Sequence, residues 1–426
     1  MGSVLTPEQQ AVFDRIEKTR DHVFVTGRAG TGKSTLLNHL AFHTEKQIVV
    51  CAPTGVAALN VGGQTIHSLF RLPIGVIAGH PLEQPDELKK LLNTIDTVVI
   101  DEVSMVNADL MDAIDRALRQ ARKRDTPFGG VQLVLFGDPY QLSPVPGLSP
   151  EERQYYADTY ASMWFFDAKV WRDAEITVVE LIEVHRQKDS EFRFMLNAVR
   201  YGQVTQEIAD RFNEAGARPA PTDGVITLAS RNDAVNLINA ARLKRLPGAV
   251  NLARAEISGD FGGRNFPADE NLELKAGAQV MFLRNDTGGQ GAPRWVNGTI
   301  GTVTRITGGA VRVEIDGQDV EVEPATWERH KYSYDPVAKS LSKDVVAEFT
   351  QFPLRLAWAV TIHKSQGKTY DRAVVDLGAR AFSPGQTYVA LSRVTDLDGL
   401  YLTRPLRPRD IWVDDDVVRF MRGASG

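Results

Sequence analysis

Gly27-Arg28-Ala29-Gly30-Thr31-Gly32-Lys33-Ser34 is the stretch that decides the fold. It satisfies G-x-x-x-x-G-K-[ST], the pattern of a nucleotide phosphate-binding loop. Ahead of it, His22-Val-Phe-Val-Thr26 reads as a buried strand; behind it, Ser34-Thr-Leu-Leu-Asn-His-Leu-Ala41 reads as a helix. That strand–loop–helix context separates a working loop from a chance match. Glycines let backbone N–H groups converge on phosphate oxygens, and the helix N-terminus favours the anion. Lys33 supplies a positive charge for the outer phosphates, and the Ser34 hydroxyl is a ligand for Mg²⁺. The bland alternative is a tight Gly-rich turn that binds nothing, and the rest of the chain argues against it.

Outward from the loop, the parts of an ATPase follow in order. Leu5-Thr-Pro-Glu-Gln-Gln-Ala11 opens a helix, with Thr6 as N-cap and Pro7 in the first turn. Either Gln9 or Gln10 is placed to read adenine through its amide, the alternative being an exposed helix glutamine. Gln47-Ile-Val-Val-Cys51 is a strand, and Pro53-Thr54-Gly55 turns at its ligand-binding edge. His67 is either a ligand contact or a buried histidine. Arg71 to Gln84, rich in Pro, Gly and Ile and without a clear period, is an excursion from the sheet.

Thr97-Val-Val-Ile-Asp101-Glu102 is a buried parallel strand with two carboxylates at its tip. Lying 68 positions beyond Lys33, Asp101 is read as holding Mg²⁺ and Glu102 as taking a proton from attacking water. An amphipathic helix carries Val106, Leu110, Ile114, Leu118 and Ala121 on its apolar face. The strand Val131–Phe136 then ends in Gly137-Asp138-Pro-Tyr-Gln141, where an amide at the sheet edge senses a γ-phosphate or positions water.

A second α/β half begins near Val178. Arg186 and Arg393 are its candidate cations for charge on the transferring phosphoryl group. Val225–Asn232 and Leu354–Thr361 are strands ending in polar residues, the latter running into Ile-His363-Lys364-Ser365-Gln366-Gly367. Between them lie short alternating strands separated by Gly turns, the signature of an inserted β-barrel near 294–350. One phosphate loop and two halves have the logic of a motor, with ATP bound in a cleft that opens and closes.

Composition narrows the partners. The chain has 426 residues, 43% hydrophobic and 24% charged, which describes a folded chain of several cores. Its net charge of −5 argues against coating nucleic acid by bulk charge but leaves room for a local basic groove. The single cysteine, Cys51, excludes a disulfide framework. No run approaches the roughly 20 apolar residues of a membrane span, so no membrane partner is expected, and the expected location is cytoplasmic or nucleoid-associated.

In these motifs the chain resembles the PIF-family DNA helicases of superfamily 1, type B, from Leu5 to about Phe420. The resemblance rests on the glutamine at 9 or 10, the phosphate loop and Ala-Pro-Thr-Gly at 52–55. It continues through Asp-Glu-Val-Ser-Met at 101–105, Gly-Asp-Pro-Tyr-Gln-Leu at 137–142 and His-Arg-Gln at 185–187. Thr-Ile-His-Lys-Ser-Gln-Gly at 361–367 and Val-Ala-Leu-Ser-Arg at 389–393 complete it. Ser143-Pro144 stands where the family often has Pro-Pro. The resemblance implies two RecA-like parallel-sheet domains. The first would be 1–180, with a strand-separating wedge at about 68–90. The second would be 181–293 plus 351–426, with an SH3-like barrel inserted at 294–350. It implies ATP with Mg²⁺ at Ser34 and Asp101, and nucleotide contacts from residues 27–35 (Thr35 included), Gln366 and Gly367. It further implies 5′→3′ movement on single-stranded and forked DNA by a monomer, with G-quadruplex or RNA–DNA hybrid as further substrates. Its DNA contacts would come from Pro53, Thr54, His67, Thr361, His363 and Lys364, with Ser230 or Asn232. A RecD-like subunit of a larger complex and a DNA-dependent ATPase switch with little unwinding are the competing readings.

Overall fold

A computed structural model describes residues 5–73, 75–77, 82–144, 149–184, 189–259, 266–286, 294–335 and 340–424. The chain divides into two compact units, one of Met1–His185, Arg329–Val346 and Asp415–Gly426, the other of Arg186–Glu328 and Ala347–Asp414.

The first unit opens with α1 (Pro7–Lys18), β1 (Val23–Gly27), α2 (Lys33–His43), β2 (Ile48–Ala52) and α3 (Gly55–Asn60). It continues with β3 (Gln64–Thr65), α4 (Ile66–Phe70), α5 (Asp86–Thr94), β4 (Thr97–Ile100), α6 (Ala108–Arg122) and β5 (Gln132–Phe136). Then come α7 (Pro150–Thr159), α8 (Lys169–Asp173) and β6 (Thr177–Leu181). The strands form one parallel sheet in the order β3-β2-β4-β5-β1-β6. β1, β4 and β5 are buried at every position. That explains why they read as unbroken apolar runs, since a parallel sheet is covered on both faces. Val12 and Ile16 of α1 and Leu36, Leu37 and Leu40 of α2 pack on Val23, Val25, Val99 and Val134. Because all strands run the same way, Gly27, Ala52, Ile100 and Phe136 finish on one edge, where ligands of open α/β sheets bind.

Helix α6 also holds the excursion after α4. Asp109 accepts the Ile77 N–H at 2.5 Å, Gln120 donates to Leu82 O at 3.1 Å, and Gln84 donates to Ala117 O at 2.7 Å. Residues 74 and 78–81 of the expected wedge lie outside the described residues.

The second unit starts with α9 (Ser190–Arg200), α10 (Gln206–Gly216), β7 (Ile226–Ala229) and α11 (Asn232–Arg245). β8 (Asn251–Arg254), β9 (Glu256–Gly259), β10 (Asn271–Leu274), β11 (Gln279–Phe282), β12 (Ile300–Ile306), β13 (Val311–Ile315) and β14 (Gln318–Val322) follow. β15 (Ala325–Asp335) and β16 (Ser340–Gln351) form a long arm, then β17 (Leu354–Leu356), β18 (Ala359–Thr361) and β19 (Ala373–Asp376). α12 (Gln386–Leu391), β20 (Leu400–Leu402) and α13 (Asp415–Ala424) close the chain. A second parallel sheet has the order β18-β7-β19-β20. Beside it lies an antiparallel sheet, β14-β13-β12-β11-β17, whose alternating Val311, Val313 and Ile315 face a core with Phe282, Trp295 and Trp358.

Three expected boundaries move. The antiparallel sheet starts at Gln279 and recruits Leu354–Leu356, beyond 294–350 on both sides, because β11 pairs with both β12 and β17. Among the described residues its pairings are those of an open sheet with β14 and β17 at the edges. The arm segment Arg329–Val346 belongs with the first unit, where Arg329 Nη2 donates to Ser68 Oγ at 3.0 Å. Asp415–Gly426 also belongs there rather than to the second domain. Its Phe420 stacks on Phe166 at 4.2 Å and joins a ring cluster with Phe24, Phe165 and Trp171.

Candidate functional site

At the end of β1 the backbone turns where side chains do not fit. A Cβ on Gly27 would lie 2.6 Å from Leu181 O and 2.8 Å from Thr31 Oγ1. Gly32, at φ 80°, caps α2 in the left-handed region that glycine enters without strain. The loop is pinned from inside, with Thr31 Oγ1 donating to Arg28 O at 3.0 Å. Lys33 Nζ lies across it, donating to Gly27 O at 2.7 Å and Arg28 O at 3.0 Å. Its cation is thus held at the mouth of the loop. Ala29 is buried; Arg28, Gly30 and Thr35 are half-buried; the Ser34 hydroxyl is exposed in the first turn of α2.

The two glutamines separate. Gln9 is 3% exposed; its carbonyl accepts the Thr6 N–H at 3.0 Å and its amide donates to Thr31 O at 3.3 Å. Gln10 is exposed and donates to Asp14 Oδ1 at 2.7 Å. Only Gln9 meets the phosphate loop, so the geometry favours it over Gln10.

β4 delivers the two acids to the same edge. The Asp101 N–H donates to Cys51 O at 3.0 Å, which fixes its strand tip against that of β2. Burial and then the neighbouring Glu102 charge push the Asp101 carboxyl up to about 7, against the pull of Lys33. A divalent cation would reverse that balance. Glu102 sits at φ 51°, ψ 44°, a left-handed conformation that costs a non-glycine residue and recurs at active sites. It caps the turn Val103–Met105. Gly137 allows close approach to this turn, since a Cβ there would lie 3.0 Å from Val103 Cγ1. The loop after β5 therefore packs on the Glu102 turn and carries Gln141, which is 7% exposed and donates its N–H to Asp138 O at 2.9 Å. Lys33, Asp101, Glu102 and Gln141 share one sheet edge.

The donor set suits Mg²⁺, which takes few protein ligands beside substrate phosphates and water. An exposed hydroxyl at Ser34 and a carboxyl at Asp101 next to a phosphate cradle match that need. Among the described residues no group of three His, Cys, Asp or Glu forms a separate metal cluster.

The other candidates fall at sheet edges. Pro53 and Thr54 follow β2, and Thr54 Oγ1 caps α3 by accepting the Ala57 N–H at 3.2 Å. His67 is half-buried on α4, its pKa lowered by burial. In the second unit Ser230 follows β7, half-buried, and Asn232 opens α11, exposed. Thr361, at the end of β18, accepts the Lys364 N–H at 3.2 Å and so shapes the turn His363–Ser365. His363 stacks on Phe382 at 6.3 Å; burial lowers its pKa, and Lys364 is exposed. Gln366 is half-buried and Gly367 exposed in the same loop.

The two candidate arginines differ in their standing. Arg186 lies outside the described residues. Arg393 is 1% exposed, not a side chain held out for phosphate. It donates to Val389 O at 2.8 Å, Lys368 O at 3.2 Å, Ser365 O at 3.4 Å and Ser392 Oγ at 2.8 Å. In this geometry it braces the 361–368 loop, a role that the sequence, showing only an arginine after an apolar helix face, gave no sign of. Arg355 and Lys368, beside that loop, also went unread: one sits inside an apolar strand, the other just past the motif.

A family model described as PIF1-like helicase matches residues 4–210. The ATP-dependent DNA helicase Pif1 of Bdellovibrio bacteriovorus is 33% identical over 99% of this chain and 92% of its own length. The zebrafish (Danio rerio) ATP-dependent DNA helicase PIF1 is 35% identical over 98% of this chain, which spans 64% of that protein. Among solved structures, Bacteroides sp Pif1 in complex with ADP-AlF4 superposes with a TM-score of 0.91 at 36% identity, covering 99% of this chain and 97% of that one. Pif1 helicase from Bacteroides in complex with ADP-AlF3 and ssDNA does so with a TM-score of 0.72 at 36% identity, covering 99% and 98%. That likeness runs over nearly the whole length, and the chain belongs to the PIF1-like helicase family.

Proposed function

We propose that this chain is an ATP-dependent DNA helicase that moves 5′→3′ along single-stranded DNA and opens forked duplex. The observation that carries this is the convergence of Lys33, Asp101, Glu102 and Gln141 on one parallel-sheet edge, in a chain alike from end to end to helicases solved with ADP-AlF3 and ssDNA. Lys33 holds the outer phosphates, Glu102 accepts the proton of attacking water and Gln141 positions that water. Gln9 sits against the loop to read adenine. Ser34 and Asp101 hold Mg²⁺, which neutralises phosphate charge when bound. Pro53, Thr54, His67, Thr361, His363, Lys364 and Ser230 or Asn232 contact the strand through its backbone, which positions without reading sequence. Arg393 acts by bracing the 361–368 loop that carries the proposed strand contacts, and Arg186 stays the sequence's candidate cation for the phosphoryl group.

Two measurements test the reading. ATP turnover should rise by at least about 10-fold on adding oligo-dT, and a fork with a 5′ tail should open while one with a 3′ tail stays closed. Turnover indifferent to DNA would sink the motor. Stimulated turnover with neither fork opened would make the chain a DNA-dependent switch.

A further inference from the structure

Lys368 follows the 361–367 motif and is half-buried in the second unit. Among the described residues its Nζ meets only a thioether, Met281 Sδ at 3.9 Å. Tyr370 Oη donates to the same sulfur at 3.5 Å. Met281 of β11 is the direct cross-strand partner of Arg355 on β17, so the guanidinium stem stands beside the lysine's sulfur contact. Among the described residues Arg355 has one nearby carboxylate, Asp269 at 3.6 Å, too far for a hydrogen bond. Lys364 is exposed on the adjoining turn. Below, Arg393 donates to Lys368 O at 3.2 Å. The packed groups around Lys368 are therefore Arg355, Lys364, Arg393, Tyr370 and Met281, with Asp269 the acid beside Arg355. Burial, then the charges of Arg355 and Lys364, pull the lysine down to about 7.

Setting the Lys368 ammonium on a thioether beside Arg355 and Lys364, with Asp269 the one acid at their side among the described residues, is unfavourable, since like charges repel and a half-buried ammonium needs acceptors. Structural lysines of this kind usually find a carboxylate or carbonyls. An anion with several oxygens would satisfy all three cations, and such perturbed clusters concentrate at functional sites. We propose that Arg355, Lys364 and Lys368 form a seat for a phosphate group. Arg355 and Lys368 are new contacts beside Lys364, which is proposed above as a DNA contact. The seat rests on the reading that the chain binds DNA and nucleotide, and its phosphate comes from either the strand backbone or the nucleotide.

The test uses the whole chain with Lys368→Met, which fills the same space without charge, and Lys368→Arg, which keeps the charge. Binding of fluorescent oligo-dT is titrated at several salt concentrations, and binding of a fluorescent ADP analogue is measured alongside. If the strand supplies the phosphate, Lys368→Met weakens oligo-dT binding roughly 5-fold, one charge-assisted contact's worth. It also lowers the log–log salt slope by about 0.7, the value for one phosphate on a single strand. Lys368→Arg restores both, and ADP affinity is unchanged. If the nucleotide supplies it, the loss appears in ADP affinity and the DNA slope stays put. A Lys368→Met protein that folds, with both affinities and the slope intact, overturns the seat. Wild-type protein binding neither probe would instead overturn the functional reading.

Discussion

Two lysines at two sheet edges meet different fates. Lys33 lies across backbone carbonyls, Gly27 O and Arg28 O, which its own loop provides. Lys368 lies against a sulfur. The first loop is built from backbone: glycines at fixed places, one clash away from failure, with every turn dictated by φ and ψ. The second is braced by a side chain, Arg393 beneath it, and in the same unit Arg404 pairs with Asp410, whose carbonyl accepts from Thr387 of α12. A backbone-built site declares itself in sequence and tolerates no Cβ. A side-chain-built site tolerates drift in its composition but depends on charge.

The sharpest way to break the comparison is Lys33→Ala. Steady-state phosphate release should fall by about 10³-fold or more, because the outer phosphates lose their cation. Oligo-dT binding without nucleotide should persist; loss of both would mean the loop is a folding element. Glu102→Gln should cut turnover by roughly 10²–10⁴-fold, the worth of a general base. A fluorescent ADP analogue should still bind. Equal loss of binding and turnover would assign Glu102 to structure.

The side-chain-built unit is probed by acid. Asp410 is wholly buried and accepts from Arg404 at 2.6 and 2.8 Å and from the Arg407 N–H at 2.9 Å. Burial alone would raise its carboxyl, but Arg404 and the Arg407 N–H outweigh that and hold it below the usual range. A depressed carboxylate contributes stability that is present above its unfolded pKa and lost as pH falls through the folded one. The second unit should therefore loosen first on acidification. Asp410→Asn should cost about 3–5 kcal/mol at neutral pH by taking the carboxylate from Arg404, to which only the carbonyls of Gly378 and Pro405 would remain among the described partners. Denaturant melts of wild type and variant would converge at low pH; parallel curves would deny the pair this role.

The same division explains what the sequence shows. β1, the phosphate loop, β4 with Asp101 and Glu102, and the turn at Gln141 are legible because each is local: apolar run, then special residues. Gln9 and Gln10 are indistinguishable until α1 docks and buries one. Arg393 reads as an available cation because two of its acceptors, Ser365 O and Lys368 O, lie more than 20 residues back in the chain. β11 escapes the inserted sheet because its apolar run resembles any buried strand until β12 and β17 pair with it. Arg355 hides within Leu354–Leu356, where cross-strand pairing with Met281, not spacing, gives it neighbours.

The return of α13 to the first unit also sets a timetable. Phe24 is completely buried, in a ring cluster that includes Phe420. A ribosome adding about 5–20 residues per second needs on the order of 20–80 seconds to travel from one to the other. Phe24 waits through that whole interval, and Phe165, Phe166 and Trp171 through what remains of it after their own synthesis, for their last neighbour. The phosphate loop hangs from the strand that holds Phe24, so an early-made strand reaches its final form only when a helix made far later arrives.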